Sequence, residues 1–177
     1  QIQPHFLYNT LSSIRTIIKM DPDRAYDMLY DFTVYLRGSL KLLSTEGRIP
    51  FAEELKSIQA YLNVEKMRLG KRLEIRLDIK DRDFTLPPLT IQPIVENAVK
   101  HGVFPRGKAG GYVEVKAWEE DRYYLIEVTD HGVGFDTDVS GRKSDAVGLV
   151  NLMYRIEHLV NGKIEIKSIV DEGTSVT

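Results

Sequence analysis

Phe6, Leu7, Leu11, Ile14, Ile17 and Ile18 recur at helical spacing, so the pattern of apolar positions opens on an amphipathic helix. Asp21-Pro22 interrupts it, with Asp suited to an N-cap and Pro to a first helical turn. A second helix is predicted over 23–43, with Met28, Leu29, Phe32, Tyr35, Leu36, Leu40 and Leu43 on its apolar side. So short a joint makes an antiparallel hairpin. A hairpin that small cannot bury its stripe alone. A second copy of itself, closing a four-helix bundle, is the expected cover.

After Thr45-Glu-Gly-Arg48 the period changes. Residues 51–69 read as a third helix stopped by Gly70, and 73–79 alternate strictly as a half-buried strand. Pro87-Pro88 precedes a helix predicted over 89–100. Residues 112–118 and 123–129 are alternating strands joined through Glu119-Glu-Asp-Arg122 as a hairpin. The polar, Gly-containing stretch 135–146 reads as a loop or lid, 147–160 as a helix, and 163–169 and 174–177 as strands around a turn at Glu172-Gly173. From residue 46 the order is helix, strand, helix, strand, strand, lid, helix, strand, strand. Helices on one face of a mixed sheet accommodate it. The fold class expected is α+β, with a helical unit over 1–45 and a compact α/β unit over 46–177.

Composition narrows the chemistry. A 42% hydrophobic, 28% charged chain of 177 residues supports a packed core. A net charge of -2 gives no general pull toward nucleic acid or an anionic membrane, and none is expected as a partner. The absence of cysteine removes disulfides and thiolate chemistry. The chain opens without Met inside a motif and stops in a strand-like run, so it reads as an excised fragment. Any membrane contact is expected only through segments upstream of it.

Three stretches can build a nucleotide pocket. Asp130-His-Gly-Val-Gly134 follows an apolar strand and offers an acceptor carboxylate with two glycines where backbone passes close to a planar ring. Gly148-Leu149-Val-Asn151 opens a helix whose free N–H groups favour a phosphate. Glu96-Asn97 offers a carboxylate and an oxygen suited to Mg²⁺, with Lys100 and His101 about one turn on. Each stretch alone is weak; their order gives them force. Of the four histidines, His5 stands out in Pro4-His5-Phe6-Leu7-Tyr8-Asn9, with Asn9 one helical turn on and facing the same side. An imidazole nitrogen is a competent nucleophile at neutral pH.

Together these motifs resemble a sensor histidine kinase core of the LytS/YesM type, from the first residue almost to the last. The resemblance of the pocket stretches is to the boxes of the ATP-binding superfamily shared by gyrase B, MutL, the heat-shock chaperone and histidine kinases. It implies a two-layer α/β sandwich in which Asp130 accepts from the adenine amino group and Asn97 holds Mg²⁺ against the phosphates. It implies a mobile ATP lid with Gly132, Gly134 and Gly148, and places Thr174, in Glu172-Gly173-Thr174, near adenine. One departure is His131, where the first box commonly has Asn. By the same resemblance, 1–45 is a dimerisation and phosphotransfer hairpin truncated at its start, and 46–177 the ATP-binding domain. His5 would be the phosphoacceptor, Glu96 the candidate general base and Asn9 an orienting group. The partners implied are a response-regulator receiver domain and a second copy. The place implied is the cytoplasmic side of a bacterial plasma-membrane sensor. The alternatives are an anti-sigma-factor-like Ser/Thr kinase and a non-catalytic, ATP-gated dimerisation module.

Overall fold

Helices α1 (Pro4–Ile17) and α2 (Pro22–Ser44) lie side by side in the computed structural model, which describes residues 4–136, 156–158 and 160–177. Asp21 caps α2 as predicted, accepting from the Arg24 N–H at 3.0 Å with Pro22 in the first position. Helix α3 (Phe51–Leu69), ending at Gly70, runs against α2. It covers one side of the hairpin: Phe6, Ile14, Met28, Phe32 and Tyr35 share one core with Phe51, Ile58, Tyr61 and Leu62 of the same chain. At Gly38 the two helices stand so near that an added Cβ would lie 3.0 Å from Ser57 Oγ. The expected apolar side therefore splits. Leu11, Ile18, Leu29, Leu40 and Leu43 remain exposed, because one neighbouring helix covers only one side of the pair.

The strands are β1 (Ile49–Pro50), β2 (Leu73–Ile79), β3 (Thr85–Leu86), β4 (Gly111–Glu120), β5 (Tyr123–Asp130), β6 (Ile166–Ile169) and β7 (Gly173–Val176). β1 and β3 form a two-stranded ladder, and the others a mixed sheet in the order β2-β4-β5-β7-β6. Among the described strands only β2 and β4 pair in parallel within it. The β4–β5 turn is tighter than expected. Asp121 and Arg122 alone make it, with φ of 50° and 70°, the mirror-image turn that follows strand twist. β6 begins at Ile166, later than the predicted 163.

Helix α4 (Gln92–Asn97) starts three residues later than the predicted 89. Leu89, in the left-handed region, turns the chain before it, and buried Glu54 on α3 accepts the backbone N–H groups of Ile91 and Gln92 at 2.7 and 2.8 Å. The helix then widens into a π turn over Ala98–Val103 and tightens over Phe104–Arg106, beyond the predicted stop at 100. It packs with α3 against the sheet face formed by Val113, Val115, Ala117 and Val128. The α+β, two-layer expectation holds. No described helix is long and apolar enough to cross a membrane. Of the predicted lid and late helix, 137–155 lie outside the described residues; 156–158 are helical.

Candidate functional site

Alternation along β5 sends Ile126, Val128 and then Asp130 to the face that α4 covers, since they pair with Ala117, Val115 and Val113. Asp130 thus occupies a core position with a carboxylate and is only 5% exposed. Among the described residues its Oδ1 has no hydrogen-bond partner. Burial pushes its pKa up to about 6, against the pull of the backbone N–H groups of Gly132 and Thr174. A Cβ at Gly102 or at Gly132 would collide with that Oδ1. Two glycines on different elements therefore make room for one carboxylate whose free oxygen remains to be satisfied.

The strand beside it supplies Thr174, paired with Asp130 across the β5–β7 ladder. Thr174 Oγ1 lies 2.9 Å from Ser168 Oγ, which also accepts the Phe135 N–H at 2.9 Å. The backbone after Asp130 is held on both sides. Val133 N–H donates to the Gly102 carbonyl at 3.1 Å, and Asp171 N–H to the Val133 carbonyl at 2.8 Å. Arg106 Nη1 donates to the carbonyls of Gly132 (3.1 Å) and Asp171 (3.3 Å). Gly134 has a φ of 57° and sits so near the Ile169 carbonyl that a Cβ would strike it.

Asn97, Lys100 and His101 face solvent from the end of α4 and the π turn, whose Gly102 abuts Asp130. An exposed amide oxygen with a neighbouring cation suits a hydrated, phosphate-bound Mg²⁺ better than an all-protein cage would. His131 points to the other side of the sheet edge and stacks on Tyr112, centroids 5.5 Å apart, beneath Arg76. That placement fits a flanking residue. Gly148, Leu149 and Asn151 lie outside the described residues.

Glu96 turns the opposite way from Asn97. Its carboxylate is buried, and Oε1 accepts from Tyr35 O–H at 3.1 Å and Gln92 Nε2 at 2.9 Å. At the far end of the hairpin, His5 is exposed near the start of α1, and the Asn9 amide nitrogen lies 3.0 Å from Nδ1 and 3.1 Å from Nε2. His5 and Asn9 are brought together; Glu96 is not joined to them by any described hydrogen bond. Gly102, Arg106 and Ser168 were not singled out from the sequence. Gly102 stood within the Lys-His-Gly run and was the most readable of the three.

Residues 1–73 match the family model described as histidine kinase. Residues 88–177 match the one described as histidine kinase-, DNA gyrase B-, and HSP90-like ATPase. YwpD of Bacillus subtilis (strain 168) is 40% identical over 184 residues, covering 100% of this chain and 66% of its own length. Sensor protein LytS of Bacillus anthracis is 32% identical, covering 100% of this chain. Sensor histidine kinase YpdA of Escherichia coli (strain K12) is 33% identical, covering 99%. The chain spans only 32% of the length of each of these two. The histidine kinase domain of the Erythrobacter litoralis EL346 blue-light activated histidine kinase superposes with a TM-score of 0.57. It covers 93% of this chain and 80% of that one at 14% identity, a likeness of fold. The chain belongs to the histidine kinase family, and its second half to the histidine kinase-, DNA gyrase B- and HSP90-like ATPases.

Proposed function

We propose that the chain is the cytoplasmic kinase core of a bacterial plasma-membrane sensor of a two-component system. It would bind Mg-ATP, phosphorylate itself on His5 and pass the phosphoryl group to an aspartate on a response-regulator receiver domain. One observation carries this reading: a buried carboxylate, Asp130, keeps an unpartnered oxygen in a cradle of two glycines, in the same chain as a solvent-facing His5. An adenine amino group is a donor of the right kind for that oxygen. Thr174 borders it, and Gly132 and Gly134 let backbone approach the ring. Asn97 would hold Mg²⁺, with Lys100 and His101 facing the phosphates; Gly148, Leu149 and Asn151 would meet them from the other side. The metal would neutralise charge that spreads over the γ-phosphoryl oxygens during transfer.

In the transfer, a lone pair on a His5 ring nitrogen forms the N–P bond as the bond from the γ-phosphorus to the bridging oxygen breaks. ADP leaves with that electron pair. The attacking nitrogen of a neutral imidazole bears no proton, so no base must act before attack. Asn9, turned by 180°, would accept from a His5 ring N–H and so hold the imidazole in place. The Glu96 carboxylate is buried and engaged by two donors, so we give it no part in moving the His5 proton. We assign 1–45 to dimerisation and phosphotransfer and 46–177 to ATP binding. The uncovered row of Leu11, Ile18, Leu29, Leu40 and Leu43 supports a homodimer.

Incubation with γ-labelled ATP tests the reading. Acid-labile, alkali-stable label located at His5 and lost in His5→Gln is the expected result. Acid-stable label would instead indicate a Ser/Thr kinase, and ATP binding without label a nucleotide-gated dimerisation module.

A further inference from the structure

Where α2, α3 and α4 meet, five buried side chains form a closed polar cluster inside an otherwise apolar core. Gln92 Nε2 donates to Ser39 Oγ and to Glu96 Oε1, each at 2.9 Å, and Gln92 Oε1 accepts from Ser57 Oγ at 2.9 Å. Both amide hydrogens are thereby used. Tyr35 O–H, from the hairpin, completes the Glu96 oxygen at 3.1 Å. Burial and the Glu96 charge both raise the Tyr35 pKa, so the phenol stays protonated and donates. A cluster of this kind is directional, whereas apolar packing on the same surface would tolerate sliding.

The cluster lies one residue away from His5 on one side and from Asn97 on the other. Phe6, next to His5, packs edge-on against Tyr35 with centroids 5.0 Å apart, and against Tyr61 at 5.1 Å. Glu96, on the other side of Tyr35, immediately precedes Asn97. The order His5–Phe6, Tyr35, Glu96–Asn97 is thus a continuous run of covalent, ring and hydrogen-bond contacts from the acceptor helix to the helix bearing the metal ligand. We propose that Tyr35 is a positioning residue: its bond to Glu96 fixes the hairpin on the nucleotide-binding unit in the register from which His5 is phosphorylated. This rests on the kinase reading above. Tyr35 touches neither nucleotide nor imidazole, so it governs the rate of transfer and not the binding of ATP.

The test uses the 177-residue chain, with Tyr35→Phe set against the exposed control Tyr26→Phe. Tyr35→Phe should slow His5 labelling at saturating Mg-ATP at least tenfold, while the Kd for a fluorescent ATP analogue stays within twofold. Amide exchange should quicken through α1 and leave β4 and β5 unchanged. Glu96→Gln keeps an acceptor oxygen for both donors but cannot take up a proton, so its labelling rate should stay within threefold of the parent. An unaltered rate in Tyr35→Phe would overturn the proposal. So would exchange raised equally in the sheet, which marks general loosening, or a collapse of the rate in Glu96→Gln, which would make Glu96 a base. If the parent itself takes no label, the kinase reading fails, and exchange in α1 alone decides whether Tyr35 docks the hairpin.

Discussion

Asp130 and Glu96 are both buried carboxylates beside the same helix, yet their surroundings differ in kind. Glu96 Oε1 receives two hydrogen bonds, from Tyr35 and Gln92. Asp130 Oδ1 receives none from the described residues, and the neighbouring elements contribute glycines where a side chain would fill the space. Leaving a buried acceptor unmet costs about 1–3 kcal/mol. On the reading proposed above, the first is a structural acid and the second the one that meets the nucleotide. Burial raises the Asp130 pKa, and the backbone N–H groups of Gly132 and Thr174 do not offset it.

The largest effect should come from closing the cradle. In Gly102→Ala the new methyl would collide with the Asp130 carboxylate, so either the acid swings out or the π turn lifts. Overpacking of this kind lowers stability by about 1–3 kcal/mol. Nucleotide affinity should fall by roughly 100-fold or more, as the loss of a well-placed buried contact allows. Calorimetric titration alongside thermal unfolding separates the two. Unimpaired binding in Gly102→Ala would erase the distinction between the two acids.

Asp130→Asn sharpens it through pH. The folded carboxyl titrates at about 6 against an ordinary 3.8, so the folded chain holds its proton more tightly. Its favourable contribution is complete below about pH 4 and is lost as pH rises through about 6. Near neutrality and above, the buried charge therefore costs the nucleotide-free fold on the order of 2–3 kcal/mol, from a shift of about two units. Asn removes that cost: the melting temperature should rise at about pH 8 and stay level at about pH 4. Affinity for ATP should meanwhile fall about 10- to 100-fold, since the amide can turn a donor toward another donor. A variant less stable at pH 8 than the parent would contradict the burial of an uncompensated charge.

How much of this the sequence disclosed depended on distance along the chain. The cap at Asp21, the stop at Gly70 and the alternation of β2 are local, and each was legible. Asp130 was legible from its motif, and equally from Ile126, Val128, Asp130, where the rhythm of a core strand ends on an acid. Gly102 stood in view, but the reason for it lies on a strand far downstream. The start of α4 was misplaced because its cap, Glu54, comes from another helix. The hairpin's stripe announced that something covers it; only tertiary packing showed that α3 does so on one side. Glu96 and Asn97 read as a pair, although a step of one residue on a helix turns a side chain by about 100°. One therefore faces the core and the other solvent.

On the satisfied side, Tyr35→Phe should lower stability by about 1–2 kcal/mol, the price of one buried hydrogen bond to a charged acceptor. Because Gln92 still donates to Glu96, the carboxylate keeps one partner and the loss stays moderate. Urea unfolding should show a lower midpoint with an unchanged slope. A drop as large as that from deleting the whole ring would mean that the phenol oxygen, and not the ring's packing against Phe6 and Tyr61, carries the contribution.

The smallest effect should be at Arg106, which borders the open site without entering it. Its Nη1 bridges the carbonyls of Gly132 and Asp171 and so holds the segment after Asp130 against the turn before β7. The side chain is only partly buried, so water can replace a lost donor at either carbonyl. Arg106→Ala should therefore cost about 0.5–1.5 kcal/mol, seen as a roughly 3- to 10-fold weaker affinity for ATP with little change in unfolding midpoint. Arg106→Lys, with a flexible ammonium that reaches one carbonyl at a time, should fall between. Equal affinities in all three chains would show that the β5–β7 ladder and the Val133 bonds alone keep the Asp130 oxygen in place for its ligand.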